Sequence, residues 1–261
     1  MIFSEKEQHN INSIVDNLSG HMKVMRNIHQ IIELIPDDNE ILLLGECTHG
    51  TQEFYDIRSQ LTQELMIKKG YNVILLEAEW PDIYRVNKYV INESRDQSAI
   101  EALGNIKEFP KWLWKNRTIT DLVEEVRKWN IISGERDPNR DPVYIFGIDC
   151  QQIYRSYKSL KNFLETYDIS YSFYFNRLLS FLKNYENEQE YARSVVYGKL
   201  RKLIGDIPDI LQDFLSNYQW EKVEEYIKNY KDINVSLLDI ISSEQNAEII
   251  VNGEEYFRKM F

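Results

Sequence analysis

The chain has 261 residues, 43% of them hydrophobic and 28% charged, and carries a formal net charge of −11. This is the balance of an ordinary soluble globular protein, and the acidic sign argues against non-specific nucleic-acid binding, which needs Lys and Arg clustered over phosphates. Cys47 and Cys150 are too few for a disulfide framework, which points to a reducing compartment.

Residues 1–10 (MIFSEKEQHN) lack the apolar core of a signal peptide. No stretch approaches the roughly 18 apolar residues of a membrane span. The expectation is therefore a cytoplasmic protein with no membrane and no nucleic-acid partner.

In chain order, a helical period runs from His9 to Ile35 through Met22, Met25, Ile28, Ile31 and Ile32. Pro36 and Asp37-Asp38-Asn39 end it. The continuous apolar run Ile41-Leu42-Leu43-Leu44, closed by Gly45, reads as a strand buried on both faces. Thr51 is placed to cap a helix that runs to Lys69 and stops at Gly70. Asn72–Glu77 then reads as a second buried strand. Strand, helix, strand is a βαβ unit with parallel pairing.

The next helical pattern spans Trp80 to about Gly104, with Pro81 in its first turn. Phe109–Asn116 is an aromatic stretch, and Ile119–Ile132 a helix. Gly134–Pro142 is a loop, Val143–Ile148 a third strand ending in Asp149, and Tyr154–Tyr167 a helix. Beyond Asp168 no strand pattern appears, only amphipathic helices. The expected architecture is α/β. A parallel-strand core with βαβ units occupies residues 1–168 and carries the Glu46-x-x-His49 pair, and an all-helical lid occupies 169–261, with the boundary near Asp168–Ser170.

Each of the three predicted strands ends in a carboxylate: Glu46, Glu77 and Asp149. Ligands of open parallel sheets bind beyond the carboxyl ends of the strands, although acids there also cap the helices that follow. His49 lies in a turn bracketed by Gly45 and Gly50, beside an acid able to orient it, and His is the usual base near neutral pH. Arg58 falls on the apolar stripe of Phe54, Leu61 and Leu65. A guanidinium buried there needs a carboxylate; Glu46 and Glu77 are the nearest candidates. Arg58 then serves either as a structural partner for an acid or as a group that stabilises an oxyanion.

Thr48, Trp112, Trp114, Asn116 and Asp149 are candidates for lining a substrate pocket, with core packing the alternative for the tryptophans. The sequence has no nucleophile elbow, P-loop, dinucleotide fingerprint or zinc motif. No cofactor and no metal is expected. Cys47, two residues from His49, hints at a thiol nucleophile, but nothing else marks the thiol as activated.

Gly45-Glu46-Cys47-Thr48-His49-Gly50-Thr51-Gln52-Glu53-Phe54, followed by Arg58, resembles the Gly-Glu-x-Thr-His-Gly-x-x-Glu segment of the erythromycin esterase family, some of whose members are labelled succinoglycan biosynthesis proteins. The likeness continues in Val73–Ala78, in Phe109–Asn116 and in Tyr144–Asp149 with Ser156. The resemblance implies an esterase that opens a macrolide lactone with water, linked to macrolide resistance. The motif base falls on His49, and its companions fall on Glu46, Arg58 and Glu77. The site would lie in a cleft between the sheet edge and a helical lid.

Members of that family extend beyond the point where this chain ends, and Glu254–Phe261 reads as helix with no stop signal. The expectation is a C-terminally truncated or split-gene product that lacks part of the family's sheet, with a downstream polypeptide as its partner. Two other readings stay open. One is a metal-dependent hydrolase using Glu46, His49, Glu77 and Asp149. The other is a non-catalytic binding protein or remnant.

Overall fold

The computed structural model describes residues 5–19, 27–106, 111–149 and 152–166, and parts of 236–250. The expected helices after residue 168 and the boundary at 168–170 lie outside the described residues, apart from helical turns between 238 and 250. The chain divides into two compact units, Met1–Tyr71 and Asn72–Phe261.

In the first unit, α1 spans Glu5–Ser19 and α2 spans Ile28–Leu34. The single helix expected from His9 to Ile35 is thus not continuous. Asn27 is extended, and its side chain accepts from the Gln30 backbone N–H at 3.1 Å, so it caps α2. Next comes α3, Gln52–Glu64, ending in a wider π turn over Leu65–Lys69. Gly70 stops it in the left-handed region at φ 75°, as a C-terminal glycine is expected to do.

Ile32 and Ile35 pack against Leu61 and Leu65, with Leu42, Leu44 and Tyr71 around them. Residues 41–46 form no strand, which corrects the first expected strand and its βαβ unit. Leu42 and Leu44 turn toward that core, while Ile41 and Leu43 are 76% and 89% exposed. The segment therefore buries alternate residues on one face only, and it carries no ladder of backbone bonds to lock it as a strand.

In the second unit, β1 (Val73–Glu79) pairs in parallel with β2 (Tyr144–Asp149), from Val73 opposite Tyr144 to Leu76 opposite Gly147. The connection holds α4 (Trp80–Val90), α5 (Ala99–Ala102) and α6 (Arg117–Arg136); α7 (Ile153–Thr166) follows β2. The fold is thus mixed and mostly helical, with a small parallel sheet.

The helix expected from Trp80 to Gly104 breaks after Val90. Asn92 adopts φ 65°, and the Glu93 N–H turns back to the Lys88 carbonyl at 2.7 Å. Ser98 then caps α5 by accepting from Glu101 N–H. In the same way α6 runs through Gly134 to Arg136, beyond the expected loop start, and Asn116 caps its beginning.

Side-chain amides tie the helices to β2 and to Val143 just before it. Asn87 Oδ1 on α4 accepts from Ile145 N–H at 3.0 Å, and Asn130 Oδ1 on α6 accepts from Val143 N–H at 2.7 Å. Each bond satisfies the backbone donor of a buried residue that would otherwise lack a partner away from water.

Candidate active site

The site builds up from the turn after Gly45. Residues 47–50 form that turn, with Gly50 at φ 82°, and α3 starts from Thr51. The expected Thr51 cap is absent: its hydroxyl meets that of Thr48 at 2.7 Å, so it makes no side-chain bond to the helix start.

The turn returns His49 to Glu46. Nδ1 of His49 contacts Oε1 of Glu46, while Nη2 of Arg58 reaches Oε2 of the same carboxylate at 2.5 Å. One carboxylate therefore divides its two oxygens between an imidazole and a guanidinium. The Glu46 side chain is 9% exposed, Arg58 24% and His49 51%. The acid is thus withdrawn from water, and the imidazole faces it.

Chemically, a neutral His49 that donates Nδ1–H to Glu46 keeps its Nε2 lone pair available for a proton. Arg58 compensates the buried charge. Tyr55, buried on α3, lies beneath Arg58 with its ring centroid 5.1 Å from the guanidinium carbon. Burial pushes the Tyr55 hydroxyl above its ordinary value; the Gly50 backbone and Arg58 pull it down, and the Glu46 charge adds to the rise. Cys47 on the same turn is an exposed free thiol.

The other expected residues belong to the second unit. Glu77 is exposed near the C-terminal end of β1, and its backbone carbonyl accepts from the indole N–H of Trp114 at 2.9 Å. Trp114 is buried, whereas Trp112 is 44% exposed. Asn116 serves α6: its Oδ1 accepts from Ile119 N–H and its Nδ2 donates to the Leu113 carbonyl, each at 3.0 Å.

Asp149 lies in register with Glu79, whose Oε2 accepts from Gln152 N–H at 3.1 Å. Glu79 was missed in the sequence. The signal was a second acid two residues after Glu77, on a strand that runs two residues longer than read and whose register slips between Leu76 and Glu79.

In the second unit a cleft of about 280 Å³ lies between α4, α7 and the residues Asp239, Ser242, Ser243 and Asn246. Tyr84, Lys88, Asn162, Phe163, Asp239 and Asn246 line it. Asp239 Oδ1 accepts from Tyr84 Oη at 3.0 Å and pairs with Lys88 at 2.5 Å. None of the expected site residues lies along it. Among the described residues, no cluster of three or more His, Cys, Asp or Glu is arranged to hold a metal ion, and no helix is long and apolar enough to cross a membrane.

The erythromycin esterase family profile matches residues 66–260, and the chain belongs to that family. The matched span opens at the end of the first unit, so Glu46, His49 and Arg58 precede it, while Glu77 and Asp149 fall inside it.

Two solved structures share the fold. A succinoglycan biosynthesis protein aligns with 17% identity and a TM-score of 0.54, over 82% of this chain and 46% of its own. A protein from Bacillus cereus aligns with 17% identity and a TM-score of 0.55, over 95% of this chain and 57% of its own. The chain spans about half the length of these two proteins.

Proposed function

We propose that this chain is an ester hydrolase in which His49 is the general base. Nε2 of His49 takes a proton from water, and the hydroxide adds to an ester or macrolactone carbonyl. The tetrahedral intermediate expels the alkoxide, which recovers the proton from the imidazolium, leaving an acid and an alcohol. Glu46 orients the ring and stabilises the imidazolium while it exists. Arg58 balances the acid and lends positive charge to the developing oxyanion.

The observation that carries this reading is the Glu46 carboxylate shared between His49 and Arg58. The family supports the hydrolase class. Macrolide antibiotics are the substrate class that the family name brings forward, and their inactivation would be the consequence. Glu77, exposed on β1, enters as a second acid whose contribution is read separately from Glu77→Gln.

The test is turnover of a panel of aryl esters and macrolides by the wild-type chain, His49→Ala and Glu46→Gln. General-base help is worth about 10²–10⁴ in rate, so His49→Ala should lose that much with its circular dichroism unchanged. Undiminished hydrolysis by His49→Ala would sink the proposal.

A further inference from the structure

Arg58 is half-buried and held to Glu46 by one of its nitrogens, so one ion pair alone leaves the plane of the guanidinium free to turn. The ring of Tyr55, three residues earlier on α3, offers a second contact: the guanidinium carbon lies 5.1 Å from the ring centroid. The ring is itself buried by the surrounding core. The hydroxyl at the other end of Tyr55 is buried and has no hydrogen-bond partner among the described residues. The titratable groups in contact at this turn include Glu46 beside the imidazole, and Arg58 and Tyr55 on α3, with the exposed Cys47 thiol on the turn itself.

We propose that Tyr55 is a positioning residue: its ring holds the Arg58 guanidinium in the orientation that lets Glu46 keep one oxygen for Arg58 and the other for His49. This rests on the hydrolytic reading of the Glu46–His49–Arg58 site, but its physical content is independent of turnover. Without the ring, Arg58 swings away or chelates both carboxylate oxygens. Either outcome removes the acid from its alignment with Nδ1.

Two variants separate the ring from the hydroxyl. Tyr55→Met fills similar volume with no aromatic face, and Tyr55→Phe keeps the face and removes the hydroxyl. The first readout is nitrogen NMR of the Arg58 guanidinium, which reports hindered rotation. The second is the split between kcat and KM on an aryl ester.

In the wild type and Tyr55→Phe, Arg58 rotation is expected to be slow. In Tyr55→Met it becomes fast, and kcat falls about tenfold with KM unchanged, as a misplaced catalytic group requires. If Tyr55→Met does not fold, Arg58→Lys is the companion variant. It keeps the charge and the ring but removes the planar group, and it should show the same fall in kcat.

The inference is overturned if a folded Tyr55→Met keeps Arg58 as hindered as the wild type, if Tyr55→Phe is impaired as much as Tyr55→Met, or if Arg58→Lys keeps full kcat. Hindered Arg58 rotation lost only in Tyr55→Met, in a protein that hydrolyses no ester, would sink the hydrolase reading and leave the positioning role standing. Loss of turnover in His49→Ala beside an unaffected Tyr55→Met would do the reverse.

Discussion

Arg58 and Glu46 face each other at 2.5 Å across the start of α3, and the acid of the pair is the more deeply buried. Removing the base alone strands a carboxylate away from water, while removing both charges does not. Arg58→Met is therefore expected to destabilise the fold by about 1–3 kcal/mol, discounted from a fully buried pair because Arg58 keeps partial exposure. Glu46→Gln combined with Arg58→Met should recover part of that loss. Urea unfolding of the two singles and the double measures the coupling; strict additivity would show that the pair is energetically idle.

At Gly147, β2 passes close against the end of β1. A Cβ on Gly147 would lie 2.8 Å from the Glu79 carbonyl carbon and would also meet the Ala78 carbonyl oxygen. Both obstacles are backbone, and neither can rotate aside. Gly147→Ala is expected to cost roughly 1–3 kcal/mol as overpacking, seen as a lower urea midpoint. A neutral result would mean that the strand ends part freely.

The expected loss on Asn116→Ala is about 1 kcal/mol, because the side chain caps α6 and also ties down the preceding turn. Asn116→Asp retains the acceptor for Ile119 N–H and should keep most of the stability. Thermal melts decide it. If Asn116→Ala melts like the wild type but alters KM on an ester, Asn116 acts in binding and not as a cap.

Acid sensitivity has a local source at Asp96. A hydrogen bond from Arg85 holds its carboxyl below the ordinary value of 3.8, against the desolvation of burial and with help from the Ser94 hydroxyl. The folded value is depressed, so the stabilisation is fully present above about pH 4 and is lost as pH falls through the depressed folded value. Asp96→Asn should flatten the unfolding-versus-pH curve below about pH 4 while lowering stability near neutrality. A curve parallel to the wild type through that window would remove Asp96 as the source.

The parts of the site that could be read from the sequence are those that lie close together along the chain. Glu46 and His49 are one turn apart, and Arg58 sits on the apolar stripe of the next helix, where a charge requires a partner. Glu77 and Asp149 were placed near strand ends by the same kind of local pattern, and β1 and β2 formed where the apolar runs lay. Misreadings came where periodicity carried on through a residue with another preference. Asn27 and Asn92 interrupt helices that an apolar period alone would continue, since Asn accepts backbone bonds and tolerates the left-handed region. The Ile41–Leu44 run has the composition of a strand, but composition supplies no partner for its backbone.

The amino-acid order by itself determined the alternation of strand and helix in the second unit and the glycine-bracketed turn that carries Glu46 and His49, because each follows from contacts within a few residues. Only the tertiary structure decided the rest. It placed Trp114 on the Glu77 carbonyl and set the Asn87 and Asn130 amides on Ile145 and Val143. It also gave Arg58 to Glu46 and laid it over Tyr55. The physical reason is that a buried donor or charge must find its partner wherever the packed chain brings one, and the distance along the sequence does not tell which.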